Sequence, residues 1–221
     1  GYVSNGRTYT MSNLTNNASI SGKDYVGGIF GKIIDEVYDR GGITATFTSL
    51  TNTGAITASG NYVGGIFGYG KWIDTYNYST DVAYVKMETI KNTGDISGKQ
   101  YVGGLFGYIT GENGESVLSN AISNAHIKGE TYVGGIAGKA EVLVITNATN
   151  ENSTITANGS FIENAEKFAY IGGIAGYGYQ FSDCTNSIAI NYTGDGMYVG
   201  GIAGYVSNGR TYTMSNLTNN A

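Results

Sequence analysis

Residues able to do chemistry are few here, and their spacing decides what they could do. A polysaccharide hydrolase needs two carboxylates facing one cleft. The acidic residues fall into separate insertions: Asp35, Glu36 and Asp39, then Asp74 and Asp81, then Glu112 and Glu115. Asp35 and Asp39 could meet near a loop, but solvated loop charge is much the better account of them. The single histidine, His126, stands in "NAHIKG" beside the apolar Ile127 and reads as a turn residue. With no second histidine and no G-x-S-x-G, an activated nucleophile has no base to lean on. One cysteine, Cys184, excludes an intrachain disulfide and a thiolate zinc site, and its place in the repeat puts it with Leu14, Leu50, Ile90 and Ile122 as a core residue. Gly-Asp steps occur singly, at 94–95 and 194–195, rather than as a calcium-binding array. The sequence therefore points to no catalytic residue, no metal and no cofactor.

What positions these residues is a repeat. "YVGGIFG" at Tyr25 returns as "YVGGIFG" at Tyr62, "YVGGLFG" at Tyr101, "YVGGIAG" at Tyr132, "YIGGIAG" at Tyr170 and "YVGGIAG" at Tyr198. A second element precedes most copies: "LTNNASISG", "LTNTGAITASG", "IKNTGDISG", "ISNAHIKG" and "CTNSIAI". The first eighteen residues, "GYVSNGRTYTMSNLTNNA", recur unchanged from Gly204 to Ala221, an offset of 203 residues. The six motif units also close on a 203-residue superperiod. The chain reads as one superperiod plus the start of the next, a window on a longer periodic array.

Composition supports strands. The 221 residues include 36 glycines, 19 tyrosines and no proline, with only 13% charged and a net charge of −5. Without proline every backbone N–H is free for a ladder. The apolar runs are short, alternating and bounded by glycine, as strands are. Units of this length cannot bury a face alone and must stack. The expectation is an all-β fold, a parallel β-solenoid of about six coils, uncapped at both ends, as one array. The coils run over 1–24, 25–61, 62–100, 101–131, 132–169, 170–197 and 198–221. Low charge with no basic cluster excludes a nucleic-acid footprint. No apolar run of about 20 residues exists to span a membrane.

Stacking predicts ladders. Tyr25, Tyr62, Tyr101, Tyr132, Tyr170 and Tyr198 should form one. Ile29, Ile66, Leu105, Ile136, Ile174 and Ile202 should form an inward-facing second. Asn16, Asn52, Asn92, Asn124 and Asn186 each follow an apolar residue by two positions; they read either as a stacked amide ladder or as separate turn residues. The next motif position changes from Phe30, Phe67 and Phe106 to Ala137, Ala175 and Ala203, which predicts a change in packing along the axis. Gly27 and Gly28 should mark a bend, since Val26 and Ile29 cannot otherwise both face inward. The insertions Lys71 to Met87 and Asn158 to Phe168 should be loops or added hairpins. Sequons at Asn13, Asn17, Asn77, Asn147, Asn152, Asn158, Asn191 and Asn216 are candidate glycosylation sites.

"VGGIFGY" preceded by "NTG-x-I-x-G" resembles the GLUG motif found in repeats of bacterial and archaeal surface proteins. The resemblance recurs in every unit and implies a secreted or cell-surface chain, adhesin-like, with no catalytic residues to transfer. Three functions follow as expectations. The first is a structural extracellular fibre or stalk whose partner is itself, through tandem continuation or end-to-end contact, with neighbouring fibres alongside. The second is an adhesin module that binds glycans or a partner surface through loops, with exposed tyrosines and Trp72 as stacking platforms. The third and least supported is a polysaccharide-active enzyme.

Overall fold

The computed structural model describes residues 2–3, 8–37, 43–74, 83–112, 116–207 and 214–221. Every regular element among them is a strand. All but one of the strand pairings are parallel, and each joins a strand to its counterpart one coil away. The chain is a β-solenoid whose coil carries four strands on four faces. The coil that begins at Tyr62 shows the order: Val63–Gly64, Phe67–Asp74, Ala83–Asn92 and Ile96–Ser97. The next coil then opens at Gln100–Gly103.

The two long faces and the two short faces enclose separate cores. Between the long faces lies the larger core, with Ile33, Phe47, Leu50, Ile66, Phe67, Trp72, Met87, Leu105, Phe106, Leu118, Ile136, Ile145, Ile174 and Phe181. Between the short faces lies a slimmer core of Ile56, Ile96, Ile127 and Ile155 against Val26, Val63, Val102, Val133 and Ile171. This answers how Val26 and Ile29 can both turn inward: they face different cores. The glycine pair between them spans the narrow waist where the chain passes from one core to the other.

The waist has no room for side chains on the motif strand. A Cβ on Gly65 would lie 2.4 Å from Asn92 Cγ and 2.4 Å from the carbonyl oxygen of Gly104. On Gly64 it would lie 2.3 Å from the carbonyl oxygen of Phe67. The motif's last glycine serves a second close approach, since a Cβ on Gly68 would lie 2.6 Å from the carbonyl oxygens of Gly31 and Tyr62. Distances this short are closed to real side chains, so the glycines are required by steric fit between backbones rather than by flexibility.

One of the two insertions differs from expectation. The described ends of Lys71 to Met87 are strand: they lengthen the two long faces and send Trp72, Val85 and Met87 into the larger core, while residues 75–82 lie outside the described segments. Asn158 to Phe168 does contain a hairpin, with Phe161–Glu163 antiparallel to Glu166–Gly172 through a turn at Asn164 (φ 50°) and Ala165 (φ 68°). The Phe-to-Ala change along the axis is a change of filling. Phe30, Phe67 and Trp72 meet Phe47 edge-to-face and Phe106 tilts against Phe67, whereas Ala137 and Ala175 lie in coils filled by Leu143, Ile145 and Phe181.

Gly65→Ala should destabilise the fold by about 3 kcal/mol or more, because both obstructions are held by the ladder itself. Gly22→Ala, which meets only the Cγ2 of Val26 at 2.9 Å, should cost far less. Denaturant unfolding of the two variants measures the difference, and equal losses would contradict the steric account.

Candidate functional site: the asparagine and tyrosine ladders

The waist is lined by asparagine. Each coil's long strand leaves the larger core at an aliphatic residue, Leu50 or Ile90, and enters the slimmer one at Ile56 or Ile96; Asn52 and Asn92 fill the passage. Asn16 Nδ2 donates to Asn52 Oδ1 at 2.7 Å, and Asn52 Nδ2 donates to Asn92 Oδ1 at 2.7 Å. Asn52 Nδ2 also donates to the carbonyl of Gly54 at 2.7 Å. The second run links Asn150 Nδ2 to Asn186 Oδ1 at 3.4 Å and Asn186 Nδ2 to Asn219 Oδ1 at 2.8 Å. Asn52, Asn92, Asn150 and Asn186 are fully buried, so these bonds offset a desolvation cost that buried amides must otherwise bear.

Asn124 does not belong to this ladder. In the fourth coil Ser123 pairs with Asn92 below and Asn150 above, while Ala121 rather than Ile122 continues the row of Leu50 and Ile90. Ile122 points outward at 38% exposure. The reason is a spacing. Asn16, Asn52 and Asn92 each precede the next core isoleucine by four residues, and so does Ser123, whereas Asn124 precedes Ile127 by three. The serine cannot span the gap, and its Oγ has no hydrogen-bond partner among the described atoms. Asn150 and Asn219 complete the row; "ATNENSTIT" concealed Asn150 because one extra residue separates it from Ile155.

The six motif tyrosines do stack. Ring centroids are 4.7 Å apart for Tyr25–Tyr62 and 4.8 Å for Tyr62–Tyr101, both parallel to within 2°. The series continues at 4.6 Å to Tyr132, 4.8 Å to Tyr170 and 5.4 Å to Tyr198. Five of the six hold a left-handed backbone, with φ of 56° at Tyr25, 62° at Tyr62, 56° at Tyr101, 52° at Tyr132 and 74° at Tyr198. For an aromatic residue that conformation costs roughly 1–2 kcal/mol, which the stack at about 0.5–1.5 kcal/mol per pair helps to offset. Tyr170 is the exception, and the hairpin before it inserts Phe161 against Tyr132 and Phe168 against Tyr198.

Beside this row runs another that the sequence reading missed: Lys32, Tyr69, Tyr108, Lys139, Tyr177 and Tyr205, the residue after the motif's last glycine. Lys32 Nζ lies 4.6 Å from the Tyr25 ring centre, and Lys139 Nζ lies 5.0 Å and 4.9 Å from those of Tyr108 and Tyr177. Glu141 accepts hydrogen bonds from the hydroxyls of Tyr108 at 2.6 Å and Thr110 at 2.7 Å, and pairs with Lys139 at 2.7 Å. Burial alone would raise its carboxyl, but those three donors hold it below the usual range. Burial is the first cause raising the phenols of Tyr62, Tyr69, Tyr101, Tyr108, Tyr132 and Tyr170, with Tyr69 pushed up to about 12.

The expected aliphatic row is in place: Ile66, Leu105, Ile136 and Ile174 are fully buried, and Ile29 and Ile202 are partly buried at its ends. Trp72 is no surface platform. It is 1% exposed and donates from Nε1 to the Tyr9 hydroxyl at 2.9 Å. Asp35 is no loop charge either: it is 1% exposed, opposite Trp72 in the ladder, and hydrogen-bonded to Tyr9, whose phenol burial pushes up to about 12. Asp39 lies outside the described residues. His126 is exposed, with Nδ1 3.0 Å from Thr154 Oγ1. Cys184 is buried, its thiol pushed up to about 11 by burial.

Of the sequons, Asn77 lies outside the described residues; Asn13, Asn17, Asn147, Asn152, Asn158, Asn191 and Asn216 are all exposed. Asn13, Asn147 and Asn216 share one left-handed row with Ser49, Thr89, Asn120 and Asp183. Within it Asn147 donates to Asn120 at 2.6 Å and Asn216 to Asp183 at 2.7 Å.

Among the described residues no group of three or more His, Cys, Asp or Glu is placed to hold a metal ion, and no helix is long and apolar enough to cross a membrane. Comparison with protein-family models, characterised proteins and solved structures finds no match to this chain. What the two ladders can do chemically is bind one coil to the next.

Ser123→Asn should join the two amide runs and raise stability by about 1 kcal/mol; a loss on denaturant unfolding would mean that the fourth coil excludes the amide. The phenols give a pH dependence. Unfolded tyrosines titrate near 10, while folded Tyr9 and Tyr69 hold their protons to about 12. Their contribution is intact below pH 10 and is lost as pH rises towards 12. Stability measured by circular dichroism should fall across that window, and a flat profile from pH 9 to 12 would contradict it.

Proposed function

We propose that this chain is structural: a β-solenoid segment of an extracellular fibre or stalk, built by repetition of the 203-residue superperiod. The observation that carries the reading is where the two identical segments sit. Tyr2–Val3 pairs with Lys32–Ile33 on one side of the array, and Tyr205–Val206 pairs with Tyr177–Gly178 on the other. Asn16 adjoins Asn52, and its duplicate Asn219 adjoins Asn186. Advancing by one superperiod therefore lands each duplicate in the same row and on the same face. A further superperiod would bring Ile20 onto the row of Ile190 and Val26 onto that of Val199, which is 49% exposed. Apolar side chains and strand edges of this kind are satisfied by continuation.

The reading assigns the chain no catalytic step and takes the resemblance to GLUG-repeat surface proteins as support for its location only. An adhesin acting through aromatic platforms is less well supported. Trp72 is buried, and the tyrosine rings turn their faces to one another.

Six coils at the parallel strand spacing give an axial rise of roughly 29 Å per superperiod. Helical reconstruction or fibre diffraction of the native assembly measures it. A rise near that value supports the reading; an assembly with another axial repeat, or a chain that stays monomeric and carries no further superperiod, contradicts it.

A further inference from the structure

The tyrosine rows hold phenols in an arrangement that packing alone does not require. A stack of phenylalanines would supply the same ring contacts, yet all six motif positions carry a hydroxyl. The rings repeat at 4.6–4.8 Å over the first five coils, and the first two pairs are parallel to within 2°. Tyr25 is 37% exposed and Tyr198 42% exposed at the two ends of the row, and the intervening tyrosines are half-buried, so each keeps part of its surface open to solvent. Parallel rings at this spacing bring the carbons ortho to the hydroxyls of neighbouring coils close to one another. The backbone at these positions is fixed by the glycine contacts, so the rings stay in register while their outer edges can tilt.

We propose that the tyrosine ladder is an oxidative cross-linking site, at which a peroxide-class oxidant couples tyrosines of adjacent coils into dityrosine. Each phenol gives up one electron and its hydroxyl proton to form a phenoxyl radical, with unpaired spin on the ortho carbons. Two neighbouring radicals join through those carbons in one C–C bond. The ring hydrogens at the joined carbons then pass to the oxygens and restore both phenols. Hydrogen peroxide takes up the two electrons and two protons, its O–O bond breaks, and two waters leave. The nearest parallel pairs, Tyr25–Tyr62 and Tyr62–Tyr101, couple first. Their product is a covalent staple between side chains of neighbouring coils that stacking, apolar packing and ladder hydrogen bonds otherwise hold together. The inference stands on the ladder and does not need the coils to continue into a fibre.

The test uses the dilute chain, hydrogen peroxide and a peroxidase, followed by dityrosine fluorescence and peptide mass spectrometry. The expected result is intrachain linkage of Tyr25 to Tyr62 and of Tyr62 to Tyr101, each with a loss of two hydrogens. Both linkages should vanish in Tyr62→Phe, which keeps the ring and the fold, as circular dichroism would verify. Both should also vanish when the chain is oxidised in denaturant. Linkage only between separate chains, an unchanged map in denaturant, or no dityrosine from the folded chain would each overturn the proposal.

Discussion

Everything in this fold depends on one contact: a buried asparagine side chain lying against the second glycine of the motif. Strands on facing sheets ordinarily stand apart by the length of their side chains. Here the two halves of the coil are drawn together until the Asn92 amide occupies the space that a Cβ on Gly65 would need. That approach divides one broad cross-section into two narrow cores. Val packs against Ile in one, while Phe, Leu, Ile and Trp72 fill the other. A closed waist leaves a polar group with nowhere to turn for water, so the amide must find its partners within the waist. It does so along the axis, coil to coil, which makes the same contact that shapes the cross-section also set the axial register.

The tyrosine ladder follows from this geometry. With the glycine strand pressed against its neighbours, the chain has to enter it abruptly, and the residue before it takes a left-handed backbone. Glycine would do so without strain, but tyrosine brings a ring that stacks on its counterparts. Local strain is thereby accepted for a contact repeated in every coil. The Lys32 and Lys139 ammonium groups, placed over these rings, interrupt the second row at the first and fourth motifs without breaking the column of aromatic surface.

The sequence disclosed most of this because a solenoid converts periodicity directly into contact. Equal residues at equal phase must be neighbours, so the Tyr25 and Ile66 rows could be read from the motif alone. The waist was not legible, since nothing in a linear string says that Val26 and Ile29 serve different cores. Asn124 was misplaced for a related reason. Its distance from the preceding apolar residue suggested membership, while the spacing that governs the waist is the one to the following isoleucine. Trp72 and Asp35 misled because charge and irregular spacing suggested loops, whereas each insertion lengthens its strand and carries its side chain inward.

The central claim is that the buried amides in the two runs of the ladder form a water-free waist that ties each coil to the next. Hydrogen exchange of the asparagine side-chain NH2 groups, followed by nuclear magnetic resonance, tests it most directly. The account predicts that Asn52 and Asn186 exchange only when the whole fold opens, as the slowest backbone amides do, while the exposed Asn158 and Asn191 exchange at once. Fast exchange at Asn52 and Asn186 in an otherwise protected solenoid would contradict it.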